Sequence, residues 1–494
     1  MRATFLLLLT ACAAPRGDFD VLHPLHATVD LNIGETGVVE LSDGSRATVK
    51  LLGLKEAVDD VNGAVRRAEV DVEVNGRRTS LASATYHLPL SVAGVQIDCP
   101  ITKGYTAKAR KGMPGQASTL NVWALEKDAR LRVWPAGSPW AVPGSFGYPA
   151  KQRWFATLTQ MANEPVYAYG GDRPGAKEIY YHYGLDIGGT EGLVDVTAAT
   201  DGVVVSSGSE MLDGHKGTPA TPRYDVVYLL DARGWYYRYS HFKFIEPRIR
   251  PGVRVRRGEK LGVLGKEGGS GGWSHLHFDI TRRQPSGQWG IEDGYAFLWE
   301  AYHREHPAEV VAVARPHALI WAGGTATLDG SRSTGKGLRH EWTFSEGGTS
   351  TGARVERAYP KAGSYSEILK VVDAEGKWDV DFFIVQVLDR STPDRLAPAI
   401  HATYAPSLGI RPGDPVTFKV RTFRTQEGEE IWDFGDGSPP QRVKSDGNAD
   451  IHAATGYAET IHRFKNAGRY LVSVERSDAA GVKAVGRLFV RIGE

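Results

Sequence analysis

The sequence has few cysteines, no long apolar run and no excess of charge of either sign. Lysine and arginine number 59 against 58 aspartates and glutamates in 494 residues. A balanced chain has no basic field for nucleic acid or anionic lipid, so both are excluded as principal partners. A transmembrane helix is excluded because it needs about 20 consecutive apolar residues. With only Cys12 and Cys99 present, ordinary hydrophobic cores must supply the stability.

The first residues, MRATFLLLLTACAAPRGDFD, have the form of an export signal. A single arginine precedes a short apolar core, and the segment that ends at Cys12 resembles a bacterial lipobox. This predicts a signal peptide over residues 1–12, lipidation of Cys12 and a lipid-anchored protein of the cell envelope. In a Gram-negative cell, its place would be the outer membrane or periplasm. The alternative is cleavage after Ala13, which predicts secretion.

Short alternating runs rich in valine and threonine, separated by glycine and proline, predict a mainly β, multidomain chain. At about 100–200 residues per domain, the length indicates three or four domains. Residues 21–140 predict a β-rich domain of unknown role, in which Asn75-Gly76 indicates a hairpin. Residues 141–300 predict a second unit, and within it RWFATLTQMA (153–162) predicts a helix.

The C-terminal part contains a repeat. Its paired stretches are EWTFSEGG with IWDFGDGS, YPKAGSY with FKNAGRY, and DAEG with DAAG. The offset is 90 residues at Trp342 and Trp432 but 105 at the later pairs, so the second copy has an insertion of about 15 residues, assigned to RVKSDGNADIHAATG. The repeat resembles polycystic-kidney-disease (PKD) domains over 312–391 and 395–494. The resemblance implies two Ig-like β-sandwiches that act as spacers or adhesion modules.

The PKD-like turn differs between the two copies. The second copy has the expected sequence DFGDG, whereas the first has Ser345-Glu346-Gly347 at the corresponding place. Asp433 and Asp436 of the second turn have two interpretations, a calcium site or a turn stabilised by hydrogen bonds from its own backbone.

Three short stretches contain the candidate catalytic and metal-binding residues. YYHYGLDIGG places His182 and Asp186 four residues apart. In GGWSHLHFDI, an extended strand would put His275, His277 and Asp279 on one face and the intervening apolar residues on the other. The glycines of EGGSGG (267–272) predict a flexible approach to this strand. A third stretch, GWYYRYSHFKF, ends an alternating run with His241, which is placed to project into a cleft.

The three stretches together resemble the M23 peptidases, zinc endopeptidases of the lysostaphin/LytM type. The pattern is H-x-x-x-D, a lone histidine after a strand, and H-x-H. The resemblance implies an antiparallel β-sheet peptidase domain over 141–300 with one zinc ion per chain. The zinc ligands would be His182, Asp186 and His277, with His241 and His275 as the catalytic pair. Which of that pair is the base and which stabilises the oxyanion stays open.

Two details of this site follow from the residues themselves. Full extension would separate His182 from Asp186 by about 13 Å, so the chain must bend, and Gly184 permits the bend. Asp279 has two interpretations: it orients a histidine from behind, or it faces solvent.

The sequence therefore predicts an exported zinc endopeptidase that hydrolyses peptide bonds of peptidoglycan through a metal-activated water. One alternative is a zinc protease that acts on secreted or host proteins. The other is a non-catalytic envelope lipoprotein with a structural zinc site.

Overall fold

The computed structural model describes residues 22–61, 63–83, 85–107, 121–167, 179–393 and 395–494. The predicted signal peptide and Cys12 lie outside the described residues. No helix among the described residues is both long and apolar enough to cross a membrane. The chain is mainly β and forms several β-rich units, which confirms the predicted fold class.

The N-terminal unit consists of two four-stranded antiparallel sheets, in the orders β1-β8-β7-β6 and β2-β3-β4-β5. Valines 70, 72 and 74 of β4 are buried between outward-facing acidic residues, as period-two alternation requires. Asn75 and Gly76 both have positive φ (47° and 82°) and join β4 to β5, which confirms the hairpin. The elements are β1 (Ala27–Leu31), β2 (Thr36–Glu40), β3 (Arg46–Val58), β4 (Val65–Val74), β5 (Arg77–Ser83), β6 (Leu90–Val92), β7 (Val95–Thr102), α1 (Lys103–Ala107) and β8 (Ala129–Pro135).

The second unit is built on a nine-stranded antiparallel sheet with the main order β15-β14-β16-β17-β21-β12-β9, in which β19 pairs with β14 and β22 with β21. A smaller sheet, β13-β20-β18, and the pair β10-β11 accompany it. The elements are a 3-10 turn (Ala156–Leu158), β9 (Thr159–Gln160), β10 (Pro165–Tyr167), β11 (Ile179–Tyr181), β12 (Leu185–Gly188), β13 (Asp195–Thr197), β14 (Gly202–Ser207), β15 (Glu210–Met211), β16 (Val226–Leu230), β17 (Tyr236–Ser240), β18 (Phe242–Ile245), β19 (Arg254–Val255), β20 (Lys260–Leu264), β21 (His275–Arg283), β22 (Trp289–Glu292) and α2 (Tyr295–Glu305).

The helix predicted over residues 153–162 is wrong. This segment forms the 3-10 turn followed by the short edge strand β9. Its residues are held by the C-terminal units instead: the backbone N–H of Thr157 donates to Asp381, and the ring of Phe155 packs on Tyr404. Contacts between domains therefore override the local helix preference.

Buried ion pairs connect the first two units. Arg132 of β8 is 1% exposed and donates to Glu292 of β22 at 2.6 Å. His26 lies 3.3 Å from the same carboxylate. The backbone N–H of Val65 also donates to the hydroxyl of Tyr181 at 2.8 Å, beside a core that both units share. A charge pair removed from water stabilises only in good geometry, so these contacts fix one arrangement of the two units.

The C-terminal part forms two β-sandwiches, each with a buried tryptophan, Trp342 or Trp432, at its centre. The first contains the sheets β23-β29-β28-β25-β26 and β24-β27, and the second contains β30-β31-β34 and β33-β32-β35-β36. The strands are β23 (Ala318–Trp321), β24 (Gly324–Asp329), β25 (Arg339–Thr343), β26 (Thr349–Thr351), β27 (Arg354–Tyr359), β28 (Gly363–Val372), β29 (Trp378–Leu388), β30 (Ala399–Ala405), β31 (Val416–Phe423), β32 (Glu430–Asp433), β33 (Gln441–Val443), β34 (Ala458–His462), β35 (Gly468–Ser477) and β36 (Lys483–Ile492).

The predicted insertion lies between β33 and β34 of the second sandwich. The corresponding strands of the first sandwich, β26 and β27, are separated only by residues 352–353. The turn before the insertion is stabilised by its own residues, since Asp433 accepts the N–H of Gly435 and Asp436 accepts that of Ser438. This agrees with the hydrogen-bonded interpretation of the DFGDG turn.

Candidate metal centre and active site

Two neighbouring strands position most of the polar residues. Strands β12 and β21 are antiparallel, with Asp186 opposite His277 and Gly188 opposite His275. Residues directly opposite one another project to the same face of a sheet. On the other face, Leu276, Phe278 and Ile280 enter the hydrophobic core. The alternation predicted for HLHFDI is therefore present, with both histidines and Asp279 on the polar face.

Gly184 bends the chain so that His182 returns to this face. Its φ is +79°, and a Cβ atom built there would lie 2.7 Å from the carbonyl oxygen of Phe278. Real Cβ atoms do not approach a backbone oxygen so closely, so both the conformation and the space require glycine. The bend brings Nε2 of His182 to 3.2 Å from Oδ2 of Asp186.

Three donor atoms converge at this place: Nε2 of His182, Nδ1 of His277 and the carboxylate of Asp186, all within 4.8 Å of one another. The two nitrogens are 3.2 Å apart, and Nδ1 of His277 is 2.8 Å from Oδ1 of Asp186. Tetrahedral zinc with bonds of about 2.0–2.1 Å sets its ligand atoms about 3.3 Å apart. The donor set and its spacing fit such an ion.

Outer hydrogen bonds determine which nitrogen each histidine turns to the centre. Nδ1 of His182 donates to the carbonyl of Met161 at 3.1 Å, which leaves Nε2 as the inward nitrogen. Nε2 of His277 donates to Asp279 at 3.1 Å, which leaves Nδ1. Asp279 is 4% exposed, so it does not face solvent as one of its two interpretations had it. Such partners fix the ring orientation of metal-binding histidines.

His241 and His275 stand beside the three donors with their ring centroids 4.6 Å apart. His241 follows β17 with φ +70°, an uncommon conformation for a residue other than glycine. Asp225 holds it there by accepting its backbone N–H at 3.0 Å. Nδ1 of each ring donates to a backbone carbonyl, at 2.6 Å for His241 and 3.0 Å for His275. In both rings Nε2 is therefore the unprotonated nitrogen.

Three parts of the chain match the models of known protein families. Residues 180–288 match the model of peptidase family M23, and residues 307–387 and 401–486 each match the model of the PKD domain. The chain carries an M23 peptidase domain followed by two PKD domains. The predicted resemblance is thus confirmed, and all five histidine and aspartate positions of the motif lie inside the M23 match.

Two solved structures show a remote likeness to this chain. Helicobacter pylori Csd3 is 15% identical over 49% of this chain and 56% of its own, with a TM-score of 0.21. The fibronectin(III)-like modules of Clostridium thermocellum CbhA are 14% identical over 37% of this chain and 93% of their own, with a TM-score of 0.15. Scores this low support no inference about function.

The electrostatics of the M23 site favour neutral rings for His241 and His275. Burial lowers the pKa of His275 well below its ordinary value, against the opposing charge of Asp186. Burial also lowers the pKa of His241, against its hydrogen bond to Asp225. For Asp225 itself, burial would raise the pKa, but hydrogen bonds from His241 and an arginine outweigh it and lower the pKa. Two neutral imidazoles can accept protons at neutral pH.

The pKa of His277 shifts in the opposite direction to those of His241 and His275. Burial would lower its pKa, but hydrogen bonds with Asp186 and Asp279 outweigh it and raise the pKa. A proton and a metal cation therefore compete for the same Nδ1 atom.

Three residues around the site were not predicted from the sequence: Asp225, Trp273 and His401. The ring of Trp273 stacks on His275, with centroids 3.8 Å apart. Its position two residues before His275 was a usable signal, because residues two apart in an extended chain project to the same side. Asp225 and His401 have no local signal, since their partners are distant in the sequence.

Proposed function

We propose that this chain is an exported zinc endopeptidase that hydrolyses peptide bonds of peptidoglycan. The observation that carries the proposal is the convergence of one carboxylate and two inward imidazole nitrogens within 4.8 Å, next to two further histidines. Without a cation or a proton, the lone pairs of these atoms would repel one another. The arrangement is therefore that of a site built for a positive charge.

His182, Asp186 and His277 would hold the zinc ion. When bound, the ion would supply Lewis acidity toward a water molecule and toward the carbonyl of the scissile bond. Two neutral histidines and one carboxylate leave the site with a net positive charge, which is the state in which zinc acts as a strong Lewis acid. Three protein ligands also leave a fourth position for water or substrate, as in catalytic rather than structural zinc sites.

His241 and His275 would move the protons. Each presents an unprotonated Nε2, because Nδ1 is committed to a carbonyl, and burial keeps both rings neutral. One ring takes a proton from the attacking water and, once charged, can donate it to the leaving amine. The other lies 4.6 Å away, close enough to contact the same reacting carbonyl. Because the two rings are placed so similarly, either His241 or His275 can take either role.

The substrate class rests on the family. M23 and PKD domains in one chain indicate an extracellular or cell-envelope protein, where peptidoglycan is the available peptide polymer. Lipidation of Cys12 would hold the enzyme at a membrane next to that polymer. Secreted or host proteins are the alternative substrate, and a non-catalytic role with structural zinc is the alternative to an enzyme.

Metal analysis combined with two digestion assays tests the proposal. Wild type is expected to bind one zinc per chain and to release peptides from purified peptidoglycan. His277→Ala should lose both zinc and activity, whereas His275→Ala should keep zinc and lose activity. His23→Ala, which changes an exposed histidine of the N-terminal unit, should keep both.

Each other outcome has a defined meaning. If wild type binds zinc but releases nothing from peptidoglycan or casein, the chain is not an endopeptidase. If it cleaves casein alone, the protein-substrate alternative replaces peptidoglycan. Loss of zinc from His275→Ala would refute the division between ligands and proton carriers.

A further inference from the structure

The segment 271–274, which leads into His275, is hydrogen-bonded to the second PKD domain as well as to its own. Three of its backbone groups have partners there: the carbonyl of Gly271 accepts from Asn448 (3.3 Å), the carbonyl of Gly272 accepts from Arg421 (2.6 Å), and the amide of Ser274 donates to the hydroxyl of Tyr457 (2.8 Å). The contacts of Gly272 and Ser274 are buried, so without the PKD domain these two backbone groups would have no hydrogen-bond partner and no water in its place. The conformation of this segment therefore depends on the PKD domain.

Trp273 links the same contact to the M23 site. One neighbour of its ring is His275, which it stacks at 3.8 Å and 18°. Another neighbour is His401 of β30, whose ring approaches edge-on at 5.3 Å and 72°. The indole thus lies between a histidine of the M23 site and a histidine of the PKD domain. Its position sets how far the imidazole of His275 can rotate.

The hydroxyl of Tyr457 connects His401 to the segment. It lies 2.7 Å from Nδ1 of His401 and accepts the amide of Ser274. Burial lowers the pKa of the His401 ring to about 3, so it stays neutral. Its Nε2 lies against β12, 3.3 Å from the place that a Cβ atom on Gly188 would occupy.

Arg421 is fully buried and is oriented by the insertion that distinguishes the second PKD domain from the first. Asp446 of the insertion pairs with its guanidinium, and the carbonyls of Asp450 and Ile451 accept from it. From this position, Nη1 of Arg421 donates to the carbonyl of Gly272. The insertion is thus the part of the domain that aims this arginine at the M23 segment.

Gly272 has the conformation and the space that this contact requires. Its φ is +89°, and a Cβ atom there would lie 2.0 Å from Oδ1 of Asn448 and 3.0 Å from Arg421. The insertion occupies the volume that any side chain at residue 272 would need. The two surfaces therefore fit each other closely at the segment that leads into His275.

We propose that the second PKD domain is a structural part of the catalytic unit, in which Arg421, His401 and Tyr457 are positioning residues for the segment 271–274 and, through Trp273, for the ring of His275. The proposal rests on the proposed function, since His275 is the group that it positions. It replaces the idea of this domain as a spacer. The zinc ligands His182, Asp186 and His277 make none of these contacts, so zinc binding should be independent of them.

The variant Tyr457→Phe tests the proposal in the full chain, because it removes one hydroxyl and keeps the ring. Tyr470→Phe is the matched control, since it removes a hydroxyl of the same domain that donates to the carbonyl of Asn466, away from the M23 site. We expect kcat on peptidoglycan to fall roughly tenfold in Tyr457→Phe, with KM and zinc content within twofold of wild type. The control should match wild type.

A second readout does not depend on activity. In protein with labelled histidine, the ring signal of His275, identified from its absence in His275→Ala, should shift in Tyr457→Phe and not in Tyr470→Phe. If both kcat and this signal match the control, the positioning proposal is overturned. If wild type cleaves nothing but the signal shifts, the proposed function fails while the positioning stands.

A gentler variant covers the case in which Tyr457→Phe does not fold. Asn448→Gly removes one side chain at a position with φ +60°, where glycine introduces no strain. It should lower kcat about threefold and shift the same His275 signal, because a single hydrogen bond to residue 271 is lost. An unchanged kcat together with an unchanged signal in Asn448→Gly would refute the proposal.

Discussion

The bend at Gly184 gives the sharpest prediction about the metal centre. Replacing this glycine by alanine adds one methyl group at φ +79°, and that group would lie 2.7 Å from the carbonyl oxygen of Phe278 and 2.7 Å from Cβ of Asp279. Neither atom is the end of a flexible chain, because both belong to the middle of β21. The bend must therefore open, and His182 must move away from Asp186.

The expected loss of folding stability in Gly184→Ala has two separable parts. A positive φ at a residue with a Cβ costs about 1–2 kcal/mol. Forcing an extra methyl group into a packed site costs about 1–3 kcal/mol more. Gly234 isolates the first part, since its φ is +80° and no atom lies within 4 Å of its Cβ position. Gly184→Ala should thus be destabilised by about 2–5 kcal/mol, and Gly234→Ala by about 1–2 kcal/mol.

Chemical denaturation and a competitive zinc titration measure the two effects. If opening the bend relieves the crowding, zinc affinity should fall about 10-fold to 100-fold in Gly184→Ala, since each 1.4 kcal/mol is about a factor of ten. Gly234→Ala should bind zinc as wild type does. If the two variants have equal stability and equal zinc affinity, the reasoning about this bend is refuted.

Three other predictions concern residues behind the M23 site and between domains. Asp279→Ala should weaken zinc binding about 10-fold to 100-fold in the same titration, because His277 loses the carboxylate that fixes its ring; unchanged affinity would contradict this. Asp225→Ala should keep zinc but lower kcat about 10-fold or more, because the strained backbone of His241 loses its acceptor; normal kcat would contradict it. Burial raises the pKa of Asp381 to about 6 from 3.8, so its contribution to stability is complete below about pH 4 and is lost as the pH rises through 6. Urea denaturation should show about 2 kcal/mol lost from pH 4 to pH 7, and Asp381→Asn should flatten that dependence.

Most of the fold could be predicted from local patterns in the sequence. Alternation identified the strands, Asn75-Gly76 identified a hairpin, and the change of offset after Trp432 located the insertion. The failure at residues 153–162 has a physical reason. Polar and aromatic groups of two other domains take the hydrogen bonds and packing contacts of this segment, and those partners are hundreds of residues away.

For the site, the sequence predicted the central residues but not those around them. Motif resemblance brought together His182, Asp186, His241, His275 and His277, and the structure places all of them at one end of the same sheet. The residues around them were not accessible, because a contact such as that of Trp273 with His401 exists only after two domains have docked. No periodicity or spacing in the sequence encodes which face of one domain meets which loop of another.

The glycines before the H-x-H strand illustrate the difference. Their sequence, EGGSGG, suggested a flexible approach to His275, since glycine is the least restricted residue. In the structure, Gly271 and Gly272 have φ of +69° and +89° and their carbonyls are bonded to the second PKD domain. Here the lack of a side chain serves close approach rather than motion, because Asn448 and Arg421 occupy the space that a Cβ atom on Gly272 would need. If that contact positions His275, then Gly272→Ala should lower kcat at least as far as Tyr457→Phe does, whereas a flexible hinge would tolerate the methyl group. Steady-state kinetics of the two variants side by side decides between a hinge and a docking surface.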